Sequence, residues 1–282
     1  SQSASETKSS LFTIERNGKN LVEAYASADY PPFYLYWSPD SKSISFLAAS
    51  ANGSNLKLDL VSAQGGETQT LDAGQPYYWS WAPDSKSMLV HVNGASVFDA
   101  SARLATLTLE GGVAEESLGV NPSLFQAPEI SPDGKHVLFV AEGEDGAPTL
   151  VRSDRNGDNL ETIASAQGSL AFALSPDGKR LAYIASDRAM QGALGTMHIL
   201  DLSGKDNPVM IAEEPVYAFF WAPDNNQIAY FVPAILQPTP APDSQASPGQ
   251  DTVIILTLYV ADAGSGESRR IASLPGRSFQ QD

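Results

Sequence analysis

Trp37-Ser38-Pro39-Asp40-Ser41-Lys42, running into Ser43-Ile44-Ser45-Phe46-Leu47-Ala48, is the stretch whose reading decides the fold. Pro39 presets φ for a tight turn, and Asp40 can accept a hydrogen bond from the backbone two residues on. The six residues after Lys42 then have the composition of a short strand. The same turn returns as Ala82-Pro83-Asp84-Ser85-Lys86, Ser131-Pro132-Asp133-Gly134-Lys135, Ser175-Pro176-Asp177-Gly178-Lys179 and Ala222-Pro223-Asp224-Asn225-Asn226, at spacings of 44, 49, 44 and 47 residues. Five copies at a near-constant period indicate a repeat architecture, with the aspartates as turn-builders rather than catalytic groups.

Each turn is flanked by four strand-like runs. Aromatic-rich segments precede it, as in Tyr34-Leu35-Tyr36-Trp37 and Tyr77-Tyr78-Trp79-Ser80-Trp81, and runs such as 43–48, 87–92, 136–141, 180–185 and 227–232 follow it. Third runs occur at 56–61, 149–152, 196–200 and 257–260, and fourth runs at 68–71, 160–164, 209–212 and 269–272. Turns such as Arg155-Asn156-Gly157-Asp158 separate third from fourth. Four short strands per repeat of this length predict an all-β propeller of four-stranded antiparallel blades.

The Trp-Ser-Pro-Asp-Gly-Lys pattern resembles the Pro-Asp variety of WD-like repeat found in TolB-type propellers and in the propellers of prolyl oligopeptidase-type enzymes. The likeness extends from about Leu11 to the end, although Ile130 and Leu174 replace Trp before two of the turns and the last turn lacks Gly and Lys. It implies a non-catalytic binding or assembly scaffold outside the cytoplasm, periplasmic, secreted or surface-tethered. The alternative it also implies is the propeller of an enzyme, either the gating domain of a peptidase or a propeller hydrolase.

The stretch from Leu11 to Ser27 reads as a third-plus-fourth strand pair with no turn before it, and a sixth repeat turn is due just past Asp282. Six blades are expected, the last shared between the termini, in a protein continuing beyond Asp282; five blades with an extra hairpin are the alternative. Residues 11–282 are read as a single propeller domain. Ser1 to Ser10, with five serines, reads as a polar tether that could link the chain to a membrane.

Composition narrows the partners. A formal charge of −16, from 33 acidic against 17 basic residues, opposes phosphate-backbone binding, so nucleic acid is not expected. No apolar run is long enough to span a bilayer as a helix. Cysteine is absent, which removes thiol chemistry and suits an oxidising compartment. No Gly-x-Ser-x-Gly elbow or phosphate-cradling loop occurs, and His91, His136 and His198 are spread over separate repeats. No cofactor is expected. Asp154, Asn156 and Asp158 alternate like calcium ligands, but Gly157 stands one place early and no Glu occupies the twelfth position, so a hairpin turn is the preferred reading.

Variation gathers in the connections 93–102, 142–148, 187–195 and 233–251, the last rich in proline, and variable loops on a rigid scaffold are where binding concentrates. Phe33, Tyr77, Gln126, Leu170 and Tyr217 stand five residues before the successive repeat turns. Phe33, Tyr77, Gln126 and Tyr217 are the candidate binding residues, placed to ring a channel mouth. Packing between blades is the competing role for them. With Glu142, Glu144, Asp145, Asp187, Glu213 and Glu214 nearby, the expected partner is another protein or a peptide, preferably basic.

Overall fold

The computed structural model describes residues 8–49, 56–94, 101–120, 122–123, 126–143, 145–187, 194–204, 207–236 and 253–275. Among them all regular structure is β, and no helix is long and apolar enough to cross a membrane. The proline-rich stretch 237–248, Glu144 and the hearts of the connections 93–102 and 187–195 lie outside the described residues.

An N-terminal pair, β1 (Ser9–Thr13) and β2 (Val22–Ser27), is followed by five four-stranded sheets. These contain β3 (Pro32–Trp37), β4 (Ser43–Ala49), β5 (Leu56–Ser62) and β6 (Gln69–Ala73); then β7 (Tyr77–Trp81), β8 (Ser87–Val92), β9 (Arg103–Thr108) and β10 (Ala114–Ser117). The next is β11 (Glu129–Ile130), β12 (His136–Glu142), β13 (Pro148–Asp154) and β14 (Glu161–Ser165). Next comes β15 (Leu170–Leu174), β16 (Arg180–Ala185), β17 (Gly195–Asp201) and β18 (Val209–Val216), and last β19 (Ala218–Trp221), β20 (Gln227–Leu236), β21 (Val253–Asp262) and β22 (Ser268–Pro275). Each four-stranded sheet is an antiparallel meander in chain order, which is a propeller blade. Five complete blades and a two-stranded sixth match the six-blade expectation. Strand β1 begins at Ser9, so the last residues of the expected tether are already paired, Ser9 with Ser27 and Ser10 with Ala26.

The repeat turns fold as their residues dictate. Ser38 Oγ donates to Asp40 Oδ1 at 2.7 Å, and the same carboxylate oxygen accepts from the Lys42 amide at 3.1 Å. The pairs Ser131–Asp133 and Ser175–Asp177 repeat this at 2.6 and 2.7 Å. Serine on the carboxylate is the leading cause that holds Asp40, Asp133 and Asp177 below the usual carboxylate range. The fourth residue of every turn is left-handed, from Ser41 at φ 59° to Gly134 at φ 71°.

The chain forms two compact units. Residues 1–142 and 149–163 hold the N-terminal pair, the two blades β3–β6 and β7–β10, and nearly all of β11–β14. Its core includes Phe46, Leu58, Met88, Leu89, Leu107 and Phe139, each at most 1% exposed. Residues 143–148 and 164–282 hold the last two blades, packed around Ile184, Met197, Val216, Ile228 and Ala261. Here β20 and β21 run to ten residues each, longer than the expected 227–232 and 257–260. Strand β19 pairs with β20 only as far as Phe231, so Pro233, which has no N–H to give, falls where that edge needs no donor.

Candidate functional site

The first unit brings together the first strands of three successive blades, β3, β7 and β11. Strand β3 is irregular. Phe33 faces Leu47 and Leu35 faces Phe46, leaving Tyr34 as the extra residue of a bulge. Its φ is +48°, a conformation uncommon for a bulky L-residue. Phe33 packs toward the core beside Leu47, Tyr77 and Trp79, while Tyr34, Leu35, Tyr36 and Trp37 are 58, 50, 52 and 51% exposed. Four consecutive large apolar side chains therefore stand in solvent on one strand.

Strand β7 pleats regularly. Tyr77 and Trp79 are buried and Tyr78 between them is partly exposed. The indole N–H groups of Trp79 and Trp81 both donate to Ser45 Oγ at 2.8 Å. Tyr36 sets its ring edge-on to Trp79, centroids 5.3 Å apart and planes at 87°, which fixes the exposed ring against the buried one. Tyr77 Oη donates to Asp72 Oδ2 at 2.8 Å, and that oxygen also accepts from Arg103 at 2.6 Å; Arg103 reaches Glu115 at 2.8 Å. Burial, with Asp72 adding to it, pushes the Tyr77 hydroxyl far up, so it stays a neutral donor.

Residues 126–130 form the third side. His91 Nδ1 lies 2.8 Å from the Gln126 carbonyl oxygen and 3.3 Å from the Gln126 amide nitrogen, which holds this backbone against the ring. Burial holds the His91 pKa below 6.5. The segment so pinned closes a cleft of about 310 Å³ lined by Tyr34, Tyr36, Tyr77, Tyr78 and Trp79 on one side and by Pro128, Glu129 and Ile130 on the other. Burial raises the Tyr78 hydroxyl, and the Tyr34 and Tyr36 hydroxyls beside it raise it further, so the three phenols share one small volume.

TolB from Acinetobacter baumannii superposes with a TM-score of 0.57 at 18% identity, over 95% of this chain and 60% of that one. The fold is a β-propeller, which TolB shares. Oligogalacturonate lyase from Vibrio parahaemolyticus has the same fold, with a TM-score of 0.61 at 15% identity over 95% of this chain and 73% of that one. No protein-family model matches the sequence. An uncharacterized protein of Agrobacterium fabrum is 30% identical over 109 residues, 39% of this chain and 36% of that protein, so the match spans about a third of that relative's length.

In this propeller Phe33 and Gln126 are half-buried and Tyr77 is 3% exposed, all in the first unit. Tyr217, 57% exposed, lies in the second unit, whose Leu170 is fully buried. Of the candidate residues only Tyr77 lines the cleft; Tyr34, Tyr36 and Tyr78 belong to the aromatic-rich segments that the sequence marks as strands, and Glu129 carries no signal in the sequence. Glu142, Asp145, Asp187, Glu213 and Glu214 are exposed. The turn with Asp154, Asn156 and Asp158 uses its own polar groups internally: Asn156 Nδ2 donates to Asp158 at 2.7 Å and Asn159 Nδ2 to Asp154 at 2.6 Å. Among the described residues no group of three or more His, Cys, Asp or Glu is placed to hold a metal.

Proposed function

We propose that this chain is a non-catalytic, extracytoplasmic propeller that binds another protein or a peptide through the aromatic cleft of its first unit. The observation that supports it is the exposure of Tyr34, Leu35, Tyr36 and Trp37 at the rim of that cleft. Folding alone gains little from leaving such side chains in water, and aromatic residues around a concavity are characteristic of interface anchors. Export is supported by the likeness to TolB-type repeats and by the absence of cysteine from the sequence. A second reading, an enzyme propeller, is supported by the fold shared with the lyase; in its hydrolase form it would need a catalytic pair of carboxylates, and among the described residues lining the cleft Glu129 supplies one.

The test is differential capture from the envelope fraction of the source cell, using the immobilised chain and its Tyr36→Ala/Tyr78→Ala variant. A protein retained by the first and lost from the second supports the binding role. Identical retention by both excludes the cleft as the binding surface.

A further inference from the structure

Four Asn-Gly pairs occur in the sequence, at 17–18, 52–53, 93–94 and 156–157, and the second lies outside the described residues. Two of the other three sit in the same kind of turn. Arg16-Asn17-Gly18 and Arg155-Asn156-Gly157 share their residues, and in each the Gly amide donates three residues back, to the Glu15 carbonyl at 2.8 Å and to the Asp154 carbonyl at 3.0 Å. In each the asparagine Oδ1 accepts from the amide two residues on, that of Lys19 at 2.8 Å and that of Asp158 at 3.3 Å. Their surroundings differ. Gly18 is exposed, and a Cβ placed there would meet nothing within 4 Å. Gly157 is buried, and a Cβ there would lie 2.3 Å from the Leu118 carbonyl oxygen. Asn93 is tied at both ends of its amide, Oδ1 accepting from the Gln75 amide at 3.1 Å and Nδ2 donating to Ser101 Oγ at 3.0 Å, and Gly94 beside it is buried.

We propose that Asn17 is a site of spontaneous covalent modification, converting to aspartate and isoaspartate in the folded protein while Asn93 and Asn156 persist. The Gly18 backbone nitrogen forms a bond to Asn17 Cγ and the Cγ–Nδ2 bond breaks. The departing nitrogen takes the proton lost by Gly18 and leaves as ammonia. Water then opens the five-membered imide at either carbonyl: at Cγ it gives aspartate, at the main-chain carbon isoaspartate. The net change is amide plus water to carboxylic acid plus ammonia, with no oxidant or reductant. Glycine favours the attack because it has no Cβ to crowd the approaching nitrogen. The Gly18 amide must first leave the Glu15 carbonyl, so the reaction proceeds from a locally opened turn. At Gly18 that opening meets no packed neighbour among the described residues, whereas at Gly157 it must lift one hairpin off Leu118. The product replaces the Asn17 Nδ2 donor, 2.9 Å from Glu15 Oε2, by a carboxylate facing a carboxylate. Isoaspartate also lengthens the main chain by one carbon, so the modification loosens the hairpin of β1 and β2.

The test incubates the full chain at mildly alkaline pH and follows each Asn-Gly site by peptide mass spectrometry, conversion adding about 1 Da. Isoaspartate is counted separately with an isoaspartate-specific carboxyl methyltransferase. In the folded chain Asn17 is expected to convert about tenfold faster than Asn156, with Asn93 at least as well protected as Asn156. In concentrated urea the two Arg-Asn-Gly sites should convert at rates within about a factor of two, because the packing that separates them is gone. Rates at Asn156 or Asn93 that match Asn17 in the folded chain would overturn the proposal. So would an Asn17 that stays intact when folded yet converts in urea, or a ratio that urea leaves unchanged. Aspartate formed without isoaspartate would overturn it too, since that is direct hydrolysis by water rather than attack by Gly18. None of these outcomes depends on the cleft or on a partner.

Discussion

Trp79 donates its indole N–H to Ser45 Oγ at 2.8 Å, from the first strand of one blade to the second strand of the blade before it, and Trp81 donates to the same oxygen. Ser45 is completely buried, and its own hydroxyl is 3.2 Å from the Tyr36 carbonyl oxygen, to which it donates. One hydroxyl therefore uses its full capacity of one donor and two acceptors. Ser45→Ala would strand two indole N–H groups. A loss of about 2–3 kcal/mol is expected, read as a lowered urea midpoint with unchanged slope. Ser45→Thr, which keeps the hydroxyl, separates lost hydrogen bonding from altered packing.

Tyr34 predicts a conflict between stability and binding. Its left-handed backbone costs a side-chain-bearing residue about 1–2 kcal/mol, which glycine would not incur. Because Tyr34 is 58% exposed, removing its ring forfeits little burial. Tyr34→Gly should leave thermal stability unchanged or slightly raised while weakening capture through the cleft. A large drop in melting temperature would show that the ring supports the strand instead.

Two glycines should separate backbone strain from steric collision. At Gly134 a Cβ would meet nothing closer than 3.9 Å, so Gly134→Ala pays only for its positive φ, about 1 kcal/mol. At Gly157 the Cβ would lie 2.3 Å from the Leu118 carbonyl oxygen, a backbone atom. Gly157→Ala should therefore cost clearly more, about 2–4 kcal/mol, since one hairpin must move off its neighbour. Chemical denaturation of both variants tests the ranking.

Acid should weaken the fold in two stages. Burial lowers the pKa of His91, and also that of His198, which stacks on Tyr183 at 5.2 Å. A depressed histidine pKa means that the unfolded chain takes up protons first, so stability begins to fall as pH drops through about 6.5. The lowered carboxyls of Asp40, Asp133 and Asp177 stabilise above about pH 3.8, and that contribution is lost on further acidification. Melting temperatures from pH 8 to 3 check the stages, and histidine NMR titration should show His91 and His198 still mostly neutral at pH 6.5.

The repeat made the blades legible because the turn chemistry is local. Ser38, Pro39 and Asp40 fold against one another and need no distant partner, and β8 and β16 lie on the very residues read as strands, 87–92 and 180–185. The cleft was less legible. Counting five residues back from each turn assumes an unbroken pleat, and in β7 that count lands on Tyr77, which lines the cleft but is nearly buried with its hydroxyl on Asp72, one place short of the more exposed Tyr78. In β3 the bulge interrupts the alternation that would assign faces. Glu129 belongs to a strand of two residues, too short for any periodicity to show. The signal the sequence does carry is the unbroken run from Phe33 to Trp37, since a strand buried on one face has no use for five large apolar residues in a row.

The bulge at Tyr34 also bears on how this chain could be redesigned. Averaging the five repeats into a consensus would strengthen the turns and erase the extra residue of β3, since β7, β11, β15 and β19 each pair with the next strand without a bulge. Such a protein would gain rigidity and lose the outer wall of its cleft. Here individuality, rather than regularity, is what a designer would have to copy.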